Sequence, residues 1–299
     1  MNSVSQPFID YLKFEKRYSA HTVRAYSDDL GQFFSYLDSS FGETPLPSVS
    51  TSFVRSWLAS LKEQKITSKS INRKISSLKS FFKYQLRTGS LKKSPMTGII
   101  SPKSGKRLPV YVEEKDMRLL TEQIDFPDTW QGRTERLLIR IFYNTGVRLT
   151  ELVTLKNSQV DVSGSTIRVT GKGNKERIIP ISSSLLDEIC LYQKAKQSLP
   201  GWNYSESAET LLVNDQGKAL YVKYAYLSVR KWLSRVTTIN KKSPHVLRHS
   251  FATHLMNHGA DLNSVKELLG HSSLAATQLY THNTIDKLRE VHKKSHPRG

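Results

Sequence analysis

The sequence predicts a mainly α-helical protein with one small β-sheet or hairpin, an α+β chain in two domains. Three observations carry this. Apolar residues recur at helical spacing through the first hundred residues. A basic stretch without apolar period, Ser101-Pro-Lys-Ser-Gly-Lys-Arg-Leu-Pro109, follows and reads as an extended linker. Beyond it, two short extended runs flank a Gly-Lys-Gly turn inside otherwise helical sequence. The expected boundaries are residues 1–100 for a helical domain, 101–109 for the linker and 110–299 for the second domain, with a tail over 284–299.

The elements follow in order. Val23, Tyr26, Leu30, Phe33, Phe34 and Leu37 fall on one face of a helix. Phe53, Val54, Trp57, Leu58 and Leu61 make a second stripe, and Ile71, Ile75, Leu78, Phe82 and Leu86 a third that stops at Gly89. All three stripes read as core. After the linker, Leu137, Leu138, Ile141 and Phe142 form a helical stripe ending at Gly146. Thr166–Thr170 alternates like a strand, Arg177-Ile-Ile-Pro-Ile181 is a second extended run, and Gly171-Lys-Gly-Asn-Lys-Glu176 turns between them. Leu185, Leu186, Ile189 and Cys190 return to helical spacing, which makes Cys190 a small core residue. Ser243 reads as an N-cap with Pro244 at the first helical position, opening a helix to about Gly259. Asp261 caps a shorter helix closed by Gly270. Ile285, Leu288 and Val291 leave room for one short amphipathic helix in the tail.

Charge narrows the function. Lys+Arg number 45 against 26 Asp+Glu, a formal +19. A folded chain this basic usually meets a polyanion, most often nucleic acid. Residues 1–105 hold 16 basic and 7 acidic side chains. Lys79, Lys83 and Arg87 follow one another at i, i+4 and i+8 opposite the third stripe, with Lys69 and Arg73 one step earlier. Ser68, Ser70, Ser76, Ser77 and Ser80 add hydroxyls for phosphate hydrogen bonds. That helix is the expected DNA-backbone-binding face. A basic linker between two basic domains would close both around a duplex, provided both face the same DNA.

Other classes recede. No apolar stretch reaches the ~18 residues of a membrane span. The opening MNSVSQPFIDYLKFEKR lacks the basic patch and apolar core of a signal peptide, so a cytoplasmic chain is expected. The single cysteine, Cys190, excludes an intrachain disulfide and a Cys-rich zinc site. His245/His249 and His254/His258 have the i, i+4 spacing of zinc ligands. Yet there is no His-Glu-x-x-His, and Arg248 would set a cation among the ligands, so no metal is expected.

Four segments carry chemistry. In Ser243-Pro-His-Val-Leu-Arg-His-Ser-Phe-Ala-Thr-His-Leu255, His245 and Arg248 share the first helical turn, a natural phosphate pocket. His271 follows Gly270, and Tyr280 lies nine residues beyond it. Asn144-Thr-Gly-Val-Arg-Leu-Thr-Glu151 sets Arg148 and Glu151 three apart, which alone reads as a surface ion pair. Lys172, between two glycines, alone reads as a solvated hairpin lysine.

In this order the segments resemble the tyrosine recombinases of the phage integrase family, and most of all the Xer-type enzymes. The match runs through Thr-Gly-x-Arg-x-x-Glu, Gly-Lys-Gly, His-x-x-Arg-His, Leu-Gly-His and a Tyr nine residues later. It covers nearly the whole chain, and the segments 245–255 and 268–273 are its most specific parts. The resemblance implies an N-terminal helical core-binding (SAM-like) domain and a C-terminal catalytic domain. It implies Tyr280 as nucleophile, with Arg148, Lys172, His245, Arg248 and His271 completing the active site and Glu151 as a supporting acid. It implies that the tail docks on a neighbouring subunit, although docking on its own domain is the simpler reading of the residues.

Those residue types suit transesterification at a phosphodiester. Two guanidiniums, Arg148 and Arg248, can hold the nonbridging oxygens and stabilise charge building in the transition state. They stay protonated at working pH, so neither metal nor other cofactor is needed. Tyr280 needs a base, His245 or a phosphate oxygen, and the sequence does not decide between them. Lys172 is the candidate acid for the leaving 5′-oxygen, and His271 would hydrogen-bond the phosphate or orient Tyr280. A 3′-phosphotyrosine conserves the bond energy, so ATP is not implied. Exchange of four strands calls for a tetramer on two duplexes, homomeric or with a second recombinase, with an accessory activator protein as a further partner. An idle DNA-binding architectural protein and a type IB topoisomerase are the competing readings. Binding without a covalent adduct would mark the first, and site-independent relaxation the second.

Overall fold

The computed structural model describes residues 4–103, 110–171, 175–199, 209–270 and 294–295. The chain divides into two compact units, Met1–Arg107 and Leu108–Gly299. Together they are mostly helical, with one small antiparallel sheet, as the sequence predicts.

The first unit holds α1 (Gln6–Asp10), α2 (Ala20–Phe41), α3 (Thr51–Glu63) and α4 (Ser68–Arg87). Ser19 caps α2 by accepting from the Thr22 N–H, and Thr67 caps α4 by accepting from Ser70. The apolar stripes meet in one core built around Leu30, Phe33, Trp57, Leu78 and Phe82. Phe33 stands edge-on to both Trp57 and Phe82. The third stripe departs from the sequence reading at its end, where Leu86 is exposed and Phe81 and Gln85 are buried. At about 100° per residue, Gln85 lies roughly 20° around the helix from Leu78 and Leu86 roughly 80°.

The second unit comprises α5 (Glu114–Arg118), α6 (Trp130–Thr145), α7 (Leu149–Val153), β1 (Val160–Asp161), β2 (Thr166–Thr170) and β3 (Glu176–Pro180). These are followed by α8 (Ser183–Lys196), α9 (Val222–Val236), α10 (Pro244–Asn257) and α11 (Leu262–Leu269). The central helix α6 buries Leu137, Leu138, Ile141 and Phe142 and packs against α7, α8, α9 and α10. The predicted hairpin pairs Ile167 with Ile179 and Val169 with Arg177. Strand β1, two residues long and too short to show periodicity, adds to its edge. Cys190 is half-buried at the margin of the core and not inside it.

Ser243 occupies the N-cap position of α10, but its hydroxyl caps nothing and is buried without a partner. The backbone carbonyl of Ser243 closes the first turn instead, accepting from Val246 and Leu247. Asp261 does cap α11, its carboxylate accepting from the Asn263 and Ser264 N–H groups. None of the described helices is long and apolar enough to cross a membrane.

Candidate active site

The site begins where α6 stops. Gly146 sits in the left-handed region at φ +58°, and its N–H closes on the Phe142 carbonyl. A side chain is excluded there on steric grounds as well, since a Cβ would lie 2.4 Å from a ring carbon of Phe251. The chain reverses and starts α7 with Arg148. Glu151, one turn in, reaches back to accept from the Arg148 N–H at 2.7 Å, half of a capping box.

The same carboxylate takes three more hydrogen bonds. Arg148 Nη1 donates to Oε1 at 2.7 Å, and Arg177 Nη1 and Nη2 donate to Oε1 and Oε2 at 3.1 and 2.7 Å. All of its acceptor capacity is thereby used. Side-chain exposure is 4% for Glu151 and Arg177 but 34% for Arg148, so only Arg148 faces outward. The surface ion pair read from Arg148 and Glu151 in isolation is thus an arginine–glutamate–arginine cluster whose carboxylate is buried.

A second helix end completes the arrangement. α11 ends at Gly270, also left-handed at φ +65°. Its last carbonyls turn toward the arginines: Leu268 accepts from Arg177 Nε at 2.8 Å, and Gly270 from Arg148 Nη2 at 2.9 Å. Arg248, from the first turn of α10, donates at 2.6 Å to Leu269 and at 2.6 Å to Gly146. Carbonyls at helix C-termini carry partial negative charge, so they suit guanidinium neighbours.

The electrostatics follow. Burial alone would raise the Glu151 carboxyl, but hydrogen bonds from Arg177 and then Arg148 outweigh it and hold it at about 2. Arg248 is pushed down to about 10, first by burial and then by the neighbouring Arg148 and Arg177 charges. It remains protonated at neutral pH. Three guanidiniums against one carboxylate leave a standing excess of positive charge, which can receive an anion such as a phosphodiester.

The other expected residues are placed as follows. His245 is exposed at the start of α10, and His249 is half-buried. Gly171 roots the hairpin turn, its N–H donating to the Lys175 carbonyl at 2.7 Å. A Cβ on Gly171 would lie 3.4 Å from Glu151 Oε1 and 3.6 Å from Arg148 Nη1. Lys172, His271 and Tyr280 lie outside the described residues, as do all but two residues of the 284–299 tail. His254 is buried, its Nε2 bonded to the Val112 carbonyl and its Nδ1 to the Tyr143 hydroxyl, and His258 pairs with Glu114.

In the first unit, Lys69, Arg73, Lys79, Lys83 and Arg87 are all exposed along α4. They are not equivalent. Arg73 bonds the buried Asp29 carboxylate, which also accepts from Lys74 and Ser77. Arg87 lies over the Tyr11 ring at 4.4 Å from its centroid. Ser77, expected among the phosphate-facing hydroxyls, is turned inward because Asp29 needs its donor.

Residues 6–89 match the Phage integrase, N-terminal SAM-like domain, and residues 111–287 match the Phage integrase family. The chain belongs to the phage integrase family. As a tyrosine recombinase it is an enzyme that cleaves and rejoins DNA strands. Among its relatives, the tyrosine recombinase XerC of Anoxybacillus flavithermus is 38% identical over 293 residues, 98% of this chain and 97% of that one. XerC of Listeria monocytogenes is 36% identical over 296 residues, 99% and 98% of the two chains. The fold is shared with the XerH site-specific recombinase bound to palindromic difH substrate in a post-cleavage complex. That likeness has a TM-score of 0.72 at 24% identity, over 97% of this chain and 84% of that one. It is shared too with the Tn1549 transposon integrase in complex with transposon right end DNA, at 0.70 and 19%, over 96% and 98%.

In this recombinase the structure brings Arg148, Glu151 and Arg248 together from segments up to a hundred residues apart. It also adds Arg177, which the sequence reading left at the head of an apolar run. A signal was present. Period two counted back from Ile179 puts Arg177 on the inward face of β3, where an arginine needs a buried partner.

Proposed function

We propose that the chain carries out site-specific recombination of double-stranded DNA by tyrosine transesterification. Arg148 and Arg248 grip the scissile phosphate and Tyr280 attacks it, forming a 3′-phosphotyrosine. Lys172 protonates the leaving 5′-oxygen, and His245 and His271 assist at the phosphate and the phenol. Attack by a 5′-hydroxyl from a second duplex reverses the step with little net free-energy change. Four such centres on two duplexes complete the exchange, so the working form is a tetramer, with identical subunits or with a second recombinase. The α4 face of the first unit holds the DNA backbone.

The observation that supports this best is the seating of the half-exposed Arg148 on the Glu151 carboxylate and the Gly270 carbonyl, and of the buried Arg248 on the Gly146 and Leu269 carbonyls, a preorganised cation pair suited to an anionic transition state. The XerC relatives favour chromosome-dimer resolution over mobile-element integration. DNA trapped covalently on the protein in cells, once sequenced, distinguishes the two: one chromosomal locus supports the first and element ends the second. With purified protein in chelator, the native chain forms a covalent DNA adduct and Tyr280→Phe binds DNA without forming one. An adduct that persists in Tyr280→Phe refutes the assignment.

A further inference from the structure

We propose that Arg177 is a positioning residue for strand cleavage, tying β3, the Glu151 carboxylate and the C-terminal end of α11 into one rigid seat for Arg148. The proposal rests on the recombinase reading above and deepens it, for it concerns the same centre.

The geometry carries the inference. Arg177 uses three donor nitrogens on two elements: Nη1 and Nη2 on Glu151 in α7, and Nε on the Leu268 carbonyl in α11. Its side chain is 4% exposed, so no part of it reaches solvent to touch DNA. Its stem also packs under the end of α11, where a Cβ on Gly270 would come within 3.1 Å of Arg177 Cδ. Among the described residues, Arg148 has two side-chain anchors, Glu151 and the Gly270 carbonyl. Arg177 holds the first directly, and it holds the second through Leu268, two residues before Gly270 at the same helix end. A buried planar fork that fixes both anchors of a second, half-exposed arginine controls where that arginine points.

Removal of Arg177 has a consequence that general loosening would not produce. Among the described residues, the charged groups around Glu151 are Arg148 on its own helix, Arg177 from β3 and Arg248 from α10. Without Arg177, the carboxyl keeps its burial and loses its foremost opposing interaction, so its titration moves up from about 2 toward or above the ordinary 4.5. Protonated Glu151 loses the charge that holds the Arg148 guanidinium and turns one of its oxygens into a donor, so its grip on Arg148 weakens. Cleavage then acquires an acid limb.

The test measures the first-order rate of covalent adduct formation on a nicked suicide duplex at saturating full-length protein, from pH 4 to 8. The native chain gives the reference profile. Arg177→Met slows cleavage on the order of 10²-fold, the cost of about 1 Å of misplacement. It also adds an acid limb that Glu151→Gln in the same chain abolishes, while DNA affinity stays within about twofold. Arg177→Lys keeps the charge but cannot span both elements, and it recovers part of the rate. A native-like rate and profile in Arg177→Met overturn the proposal, and so does a loss that is uniform across pH. Should Arg177→Met not fold, Arg177→Lys decides: a native rate and profile overturn the proposal, and slowed cleavage with unchanged DNA affinity supports it. Absence of any adduct in the native chain overturns the recombinase reading itself, an outcome distinct from the others.

Discussion

Glu151→Gln keeps the shape of the side chain and removes its charge, and the structure fixes how the cost depends on pH. The carboxyl stands at about 2 in the folded chain against an ordinary 4.5. At about 1.4 kcal/mol per pH unit, this links the ionised carboxylate to about 3 kcal/mol of stability in the second unit. The folded value is the lower one, so the contribution is complete above about pH 5 and fades as pH falls through 4.5 toward 2. By pH 3 more than half of it is gone, about 2 kcal/mol. Amide hydrogen exchange in α6 and α10 of the full chain, followed peptide by peptide, reads the free energy of opening that unit. Native and Glu151→Gln chains should differ by about 2 kcal/mol more at pH 6 than at pH 3. Carboxylates elsewhere titrate alike in both chains and cancel in the difference. A gap that is the same at both pH values would refute the reasoning, since it would mean that Glu151 is not held ionised by its arginines.

Gly146→Ala strains a left-handed residue and drives a methyl into Phe251 and Leu269, so a loss of about 2–4 kcal/mol is expected in denaturant titration. Its carbonyl seats Arg248, so adduct formation should fall as well. Lys79→Ala and Lys83→Ala should each make the plot of log K against log salt shallower by about 0.9, with site preference unchanged. An unaltered slope would remove these lysines from the DNA contact.

The fold was legible wherever periodicity ran long. α2, α4 and α6 follow from their apolar spacing, and the hairpin from two extended runs around Gly171-Lys-Gly173. What escaped was short or tertiary. β1 is too brief to carry a period, and Leu86 sits where a count by fours drifts off the buried face. The fate of Ser243 depends on what lies above its hydroxyl, which no local pattern encodes. The site was legible as a list of residue types and not as an arrangement. Arg148 and Glu151 three apart look the same whether solvated or buried. Only the arrival of Arg177 and of the α11 terminus makes the pair a structural centre. On α4, spacing found the cationic face but could not foresee that Asp29 would claim Arg73, Lys74 and Ser77.

The two carbonyl bonds that clamp Arg248 also decide when its freedom is surrendered. A long rotatable side chain gives up about 2 kcal/mol of rotamer entropy on being fixed. Here the freezing happens as the polypeptide folds, between Gly146 and Leu269, long before any duplex arrives. A phosphodiester reaching that guanidinium finds nothing left to immobilise, so its attraction goes into holding the anion and not into ordering the protein.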